Sequence, residues 1–236
     1  SDNRKVNIAG ICKGAAMIAP NLATMLAVVI TDAALEPEDA QTVIKNAADV
    51  SFNCITVEGH TSTSDTLLLL ANGAASLEPL AGKDIEVFQE ALKKLCAELA
   101  VKIPLDGEGV THLVTVDVEG CKTLEDARRI ARKISEDVLV KTAICGADPN
   151  WGRIVSSAGT AGVQFNPKNI TLFINDTELF RNGEPLPFDK QRTSNSIRGN
   201  RNVHIRIVFG EGDENVRFWT TDLTAEYVRL NSDYTT

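Results

Sequence analysis

TMLAVVITDAALEPEDAQTVIKNAADV, residues 24–50, holds two hydrophobic periods in succession. Its first nine residues are almost continuously apolar and rich in β-branched side chains, the composition of a strand covered on both faces. Pro37 then stands at a helix start with Glu38 and Asp39 beside it, and Ala40, Val43, Ile44 and Ala47 recur at helical spacing. A strand feeding a helix predicts a mixed α/β fold.

The alternation continues in both directions. CITVEG (54–59) reads as a short strand that ends in the polar cluster HTSTSD (60–65), before the apolar LLLLANG (67–73). Between Asp84 and Ala100, the residues Ile85, Phe88, Leu92, Leu95, Cys96 and Leu99 form one helical stripe. A second runs through Leu124, Ala127, Ile130, Ala131, Ile134 and Val138, with Thr123 as its N-cap. THLVTVDVEG (111–120), after the glycine-flanked turn DGEG (106–109), alternates as a half-buried strand does.

Beyond the loop CGADPNWGRIVSSAGTAG (145–162), ITLFIND (170–176) reads as a strand, RNGEP (181–185) as a turn and Asp189–Arg201 as a polar stretch. In residues 202–222, Val203, Ile205, Ile207 and Phe209 share one face and His204 and Arg206 the other. GEGDEN (210–215) predicts a hairpin turn between that strand and VRFW (216–219). Neither GxGxxG nor GxxxxGK[ST] occurs, so no nucleotide-binding loop is expected.

With 236 residues, 43% of them hydrophobic, the chain can fill a substantial core. Its net charge of -8 and scarcity of long Lys/Arg clusters argue against a nucleic-acid or anionic-membrane partner and leave a small anionic metabolite open. Cys12, Cys54, Cys96, Cys121 and Cys145 show neither CxxC nor zinc spacing and read as reduced thiols of a cytoplasmic protein. No signal-peptide pattern opens the sequence, and its apolar runs are too short to cross a bilayer. No metal or cofactor is expected.

Thr24 carries the chemistry if the peptide bond after Ala23 is broken. Inside a chain it is an ordinary β-branched strand residue. At an N-terminus it would place a hydroxyl nucleophile and an α-amine of pKa about 7.7–8 on one residue. Lys13 lies eleven residues upstream in ICKGAAM, suited to a substrate carboxylate or developing negative charge, and Asn21 follows Pro20. His60, Thr61, Ser62 and Asp65 crowd together, but a triad requires geometry and turn hydrogen bonds explain the cluster. His112 and His204 fall on strands as satisfied or solvent-facing groups. Asp148, Asn150, Trp151 and Arg153 form a polar loop with an aromatic anchor, in which Arg153 is expected to hold Asp148 or a neighbouring carboxylate.

KGAAMIAPNLATML, TSTSDTLLLLANG, DGEG, TAICGADPNWGRI and YVRLNSDYTT together resemble the bifunctional ornithine acetyltransferase / N-acetylglutamate synthase family of arginine biosynthesis, in order from about Val6 to Thr236. The resemblance implies an αββα sandwich similar to N-terminal nucleophile hydrolases, and self-cleavage between Ala23 and Thr24. Residues 1–23 would then be the tail of an α chain and 24–236 a β chain, with a boundary between two lobes near 145–165. It implies Thr24 as nucleophile, with Lys13, Glu108, Asn231 and Thr236 binding substrate; Asn21, Asp148 and Arg153 read, from their own loops, as support around the pocket.

The reaction implied moves an acetyl group from N-acetylornithine to glutamate through acetyl-Thr24, with acetyl-CoA a further donor in some members. The implied partners are the upstream α-chain region and a second αβ pair, giving an α2β2 heterotetramer. Two departures stand out: EGHTSTSD replaces the family's DGDTSTND, putting His60 and Ser64 at unusual positions, and no Thr-Gly pair of the oxyanion-hole kind can be assigned. An N-terminal-threonine amidase or aminopeptidase uses the same chemistry with water as acceptor. A non-catalytic assembly protein with Thr24 internal is the third alternative.

Overall fold

The computed structural model describes residues 5–14, 25–60, 64–75 and 78–233. The chain forms two compact units, Ser1–Ile103 and Pro104–Thr236. The segment 145–165, where the sequence suggested a lobe boundary, lies wholly inside the second unit.

In the first unit, β1 (Ile8–Lys13), β2 (Leu26–Thr31) and β3 (Thr66–Ala71) form a sheet in that order, β1 antiparallel and β3 parallel to β2. α1 (Pro37–Asp49) begins as the sequence indicates, with Pro37, Glu38 and Asp39 in its first turn. α2 (Lys83–Leu105) outruns the predicted Asp84–Ala100 and buries Phe88, Leu92, Cys96, Leu99 and Ile103. Gly10 permits close approach to that helix, since a Cβ there would stand 2.8 Å from Leu99 Cδ1.

β2 is apolar on both faces, as read, but only one face is covered. Ala27 and Val29 are buried, whereas Ile11, Leu26, Ile30, Leu68 and Leu70, on the other face, are 45–75% exposed. CITVEG is not a strand. Phe52–Cys54 form a 3-10 turn and only Ile55 makes a bridge, the apolar character serving to bury Ile55 and Val57.

The second unit is organised around β4 (Leu113–Cys121). The sheet order is β7 (Glu184–Pro185), β6 (Thr177–Arg181), β5 (Thr171–Ile174), β8 (Asn202–Val208), β4, β9 (Glu214–Thr221). β8 runs parallel to β4 and β9 antiparallel, so GEGDEN does not close a hairpin. It passes over the end of β4, where Gly120 O accepts the amides of Glu211 and Gly212 at 2.8 and 3.0 Å. The alternation in β8 holds, with Val203, Ile205 and Ile207 buried. RNGEP turns between β6 and β7 with Asn182 and Gly183 at φ 53° and 83°.

α3 (Leu124–Glu136) buries Ala127, Ile130, Ala131 and Ile134, and Thr123 caps it by accepting from Asp126 N at 3.1 Å. Its stripe stops short of Val138 because Asp137 caps a new helix, α4 (Val138–Cys145). The presumed loop 145–162 contains α5 (Trp151–Gly159), capped by Asn150, and the polar stretch contains α6 (Lys190–Arg198), capped by Asp189. α7 (Ala225–Asp233) closes the described chain.

Asp117 on β4 joins three strands. Arg217 on β9 donates Nε and Nη2 to it at 2.7 Å each, and His204 on β8 places Nε2 at 2.7 Å. Burial raises the Asp117 pKa, but the donors from Arg217 and His204 together outweigh it and hold the carboxyl below 3.8. A depressed pKa contributes stability that is present above 3.8 and lost as pH falls through the folded value. Acid titration followed by tryptophan fluorescence should therefore show Arg217→Leu unfolding at a higher pH than the parent, by roughly one unit; coincident transitions would remove this pair from acid stability.

Candidate active site

One end of the three-stranded sheet gathers segments far apart in sequence. Lys13 ends β1 opposite Leu26, and Leu26 lies opposite Thr66. Lys13 is exposed. Asn21, Ala23 and Thr24 lie outside the described residues, but Met25, next in the chain, is anchored on every side. Its side chain is fully buried, its amide donates to Asp65 Oδ1 at 2.5 Å, and its carbonyl accepts from Thr66 N at 2.9 Å.

The polar cluster thus has a use the sequence did not reveal. Asp65 holds the start of β2, while His60 is exposed and Thr61 and Ser62 fall outside the described residues. Ser64 accepts the Thr66 hydroxyl through its carbonyl at 3.4 Å.

In the second unit, Glu108 and Asn231 meet. Asn231 Nδ2 lies 3.4 Å from Glu108 Oε2 and donates to Tyr227 O at 3.0 Å. A carboxylate suits a substrate ammonium, and the neighbouring amide can donate to a carboxylate or carbonyl. Thr236, the last predicted ligand, lies outside the described residues.

Local packing explains why these two groups meet. Gly109, at φ +64°, lies so close to α7 that a Cβ would stand 2.6 Å from Tyr227 N. Thr224 donates its hydroxyl to Gly109 O at 2.6 Å and accepts from Tyr227 N at 3.0 Å, so one side chain caps the helix and ties down the loop. Asp222, with a fully buried side chain, accepts the amides of Thr111 and His112 at 3.0 and 3.1 Å, together with the Thr111 hydroxyl. His112 Nδ1 lies 2.9 Å from its Oδ2, and Nε2 lies 3.2 Å from Ile197 O. This clasp joins the chain just after Glu108 to the chain just before α7.

Sequence reading missed Asp222 and Thr224. The available signal was TDLTAEY, a threonine cap with Glu226 in the first helical turn.

Arg153 does not hold Asp148. It donates to Leu139 O at 2.8 Å and Thr142 Oγ1 at 3.3 Å, because the helix Asn150 starts turns Arg153 toward α4. Asp148 instead accepts from Asn150 Nδ2 at 2.9 Å and faces Lys190 at 3.6 Å. Trp151 stacks on Phe180 with ring centroids 5.2 Å apart, the anchor expected of it. Asp148, Asn150, Trp151, Phe188 and Lys190 line a shallow cleft of about 290 Å³.

Four of the five cysteines are held in the unreactive thiol form. Burial pushes Cys96 and Cys121 up to about 11, and raises Cys12 and Cys145 as well, so these thiols stay protonated at neutral pH. Among the described residues no group of three or more His, Cys, Asp or Glu is placed to hold a metal. No helix among them is long and apolar enough to cross a membrane.

Comparison with known proteins gives a consistent result. The ArgJ family model matches residues 1–236. The arginine biosynthesis bifunctional protein ArgJ of Rhodopirellula baltica is 43% identical over 236 residues, covering 99% of this chain and 58% of that protein. Its namesake from Dehalococcoides mccartyi is 46% identical over 231 residues, 97% of this chain and 57% of its own length. The chain therefore spans less than three-fifths of these relatives. A crystal structure of the arginine biosynthesis bifunctional protein argJ from Bacillus halodurans matches with a TM-score of 0.86 at 36% identity, covering 89% of this chain and 100% of the crystallised one. That match bears out the α/β fold of N-terminal-nucleophile type expected from the sequence.

Proposed function

Because this chain belongs to the ArgJ family, we propose that it is the greater part of an acetyltransferase moving acetyl from N-acetylornithine to glutamate. The observation that carries the reading is the meeting of Glu108 and Asn231, 123 residues apart, with the ammonium-binding and amide-donating chemistry that two amino-acid substrates require.

Self-cleavage after Ala23 would free the α-amine of Thr24. The amine takes the hydroxyl proton, Oγ attacks the acetyl carbonyl, and ornithine leaves with that proton. Glutamate then attacks acetyl-Thr24 to give N-acetylglutamate. Glu108 and Asn231 grip groups common to both amino acids, and Lys13 and Thr236 are the further substrate ligands that the family resemblance implies. Acetyl-CoA as donor would load the same threonine.

Two observations favour the cut and an upstream partner. The crystallised B. halodurans chain is covered whole by 89% of this chain, close to the nine-tenths that residues 24–236 represent. The open apolar face of the first sheet is suited to cover by another chain segment. The remaining two-fifths present in the relatives would supply such a segment, and with it the oxyanion donors, within a cytoplasmic α2β2 assembly.

The test uses the protein with its upstream segment, N-acetylornithine and glutamate. N-acetylglutamate and ornithine should form in equal amounts, and one N-terminus should read TMLAVV. Free acetate in place of N-acetylglutamate would make the protein an amidase. One unbroken mass with no transfer would leave it an assembly protein.

A further inference from the structure

GADPNWGRI (146–154) supplies no group to the transfer chemistry, yet its residues line a cleft of their own. With Phe188 and Lys190 they border about 290 Å³, near the lower end of the range for small-molecule sites. Neither Glu108 nor Asn231 is among the lining residues.

The polar groups of the cleft are held in place and only partly used. Asn150 Oδ1 caps α5 by accepting from Arg153 N at 3.2 Å, and Asn150 Nδ2 donates to Asp148 Oδ2 at 2.9 Å. That leaves Asp148 Oδ1 facing Lys190 Nζ at 3.6 Å, beyond the ~2.7–2.9 Å of a charge-assisted hydrogen bond. A carboxylate and an ammonium thus stand side by side, each with capacity for another partner.

The apolar wall is equally defined. Trp151 is braced by its stacking on Phe180, and Phe188 lines the same cleft. Gly152 keeps the space open. It stands in the first turn of α5 without a positive φ, and an added Cβ would meet only Asn150 Oδ1, at an ordinary 3.5 Å. Glycine is a poor helix former, so neither backbone nor packing accounts for it there, whereas room for a ligand does.

We propose that this cleft binds a free α-amino acid with an apolar or aromatic side chain. The ligand's ammonium bonds to Asp148 Oδ1, its carboxylate pairs with Lys190 Nζ, and its side chain lies against Trp151 and Phe188. A zwitterion matches this pair because its two charges, carried by one carbon, complete a ring of alternating charge with them. An amine or a carboxylic acid alone satisfies only one member.

The test is calorimetric titration of the full-length protein with L-phenylalanine, which should bind with a Kd of about 1 mM or less. Phenethylamine and 3-phenylpropionate, each lacking one charge, should bind at least about fivefold more weakly. Gly152→Leu places a side chain in the cleft from a position free of backbone strain, and should weaken L-phenylalanine binding at least about 10-fold. Lys190→Ala alters an exposed residue and should weaken it about fivefold, which keeps the test decisive if Gly152→Leu fails to fold. Glu108→Gln should leave it within about twofold, because Glu108 is not part of the cleft.

No binding to the parent at about 20 mM overturns the proposal, as does equal binding of either singly charged analogue. Undiminished binding in Lys190→Ala and in folded Gly152→Leu overturns it too. Loss of binding in Glu108→Gln would assign the amino acid to the Glu108–Asn231 site and equally end the proposal. None of these outcomes depends on whether the protein transfers acetyl groups.

Discussion

Thr24→Ala, made in the protein with its upstream segment, is expected to remain one unbroken polypeptide and to lose acetyl transfer by about 10⁴-fold or more. The substitution removes the attacking oxygen from self-cleavage and from catalysis together. Folding should survive, because β2 begins beyond it and Met25 is held by its own buried side chain, by Asp65 and by Thr66. Intact-mass analysis, circular dichroism and the transfer assay read the three quantities separately. Transfer by the uncut variant at more than a hundredth of the parent rate would take Thr24 out of the mechanism.

Asp222→Ala should destabilise the second unit by about 3–5 kcal/mol, because each buried donor left without its acceptor costs about 1–3 kcal/mol. Three donors and the His112 ring nitrogen converge on this carboxylate, and alanine would leave the Thr111 and His112 groups without that partner. A fall in Tm of roughly 10–20 °C would follow. Below the transition, the loop bearing Glu108 would lose its tie to α7, so KM for both substrates should rise. A thermal melt within 2–3 °C of the parent, about 1 kcal/mol at most, would show that the clasp contributes little.

The elements legible in the sequence were those whose information is local. α3 could be read from its stripe and from Thr123, and β8 from its alternation, because cap and periodicity reside in neighbouring residues. α5 was hidden by Gly152 and Gly159, which weaken the helical signal that Asn150 starts.

The supposed hairpin at 210–215 failed for a different reason. Local pattern shows that two strands are joined by a turn but cannot show that β4 lies between them. The same limit governs the site. Glu108, Asn231 and Lys13 could be matched to a family motif, whereas the grip of Asp65 on Met25 spans 40 residues and that of Asp222 on His112 spans 110.

The placement of β4 between β8 and β9 also sets a timetable for synthesis. His204 and Arg217, the partners of Asp117, follow it by 87 and 100 residues. At about 5–20 residues per second, β4 leaves the ribosome roughly 5–20 s before either neighbouring strand exists. During that interval its apolar side chains and unpaired backbone are at risk of pairing wrongly, and slow translation of residues 122–201 would lengthen the exposure. β9 therefore completes the sheet only after its other strands have been made, and the seat of Glu108, which needs Asp222 and Thr224, forms later still.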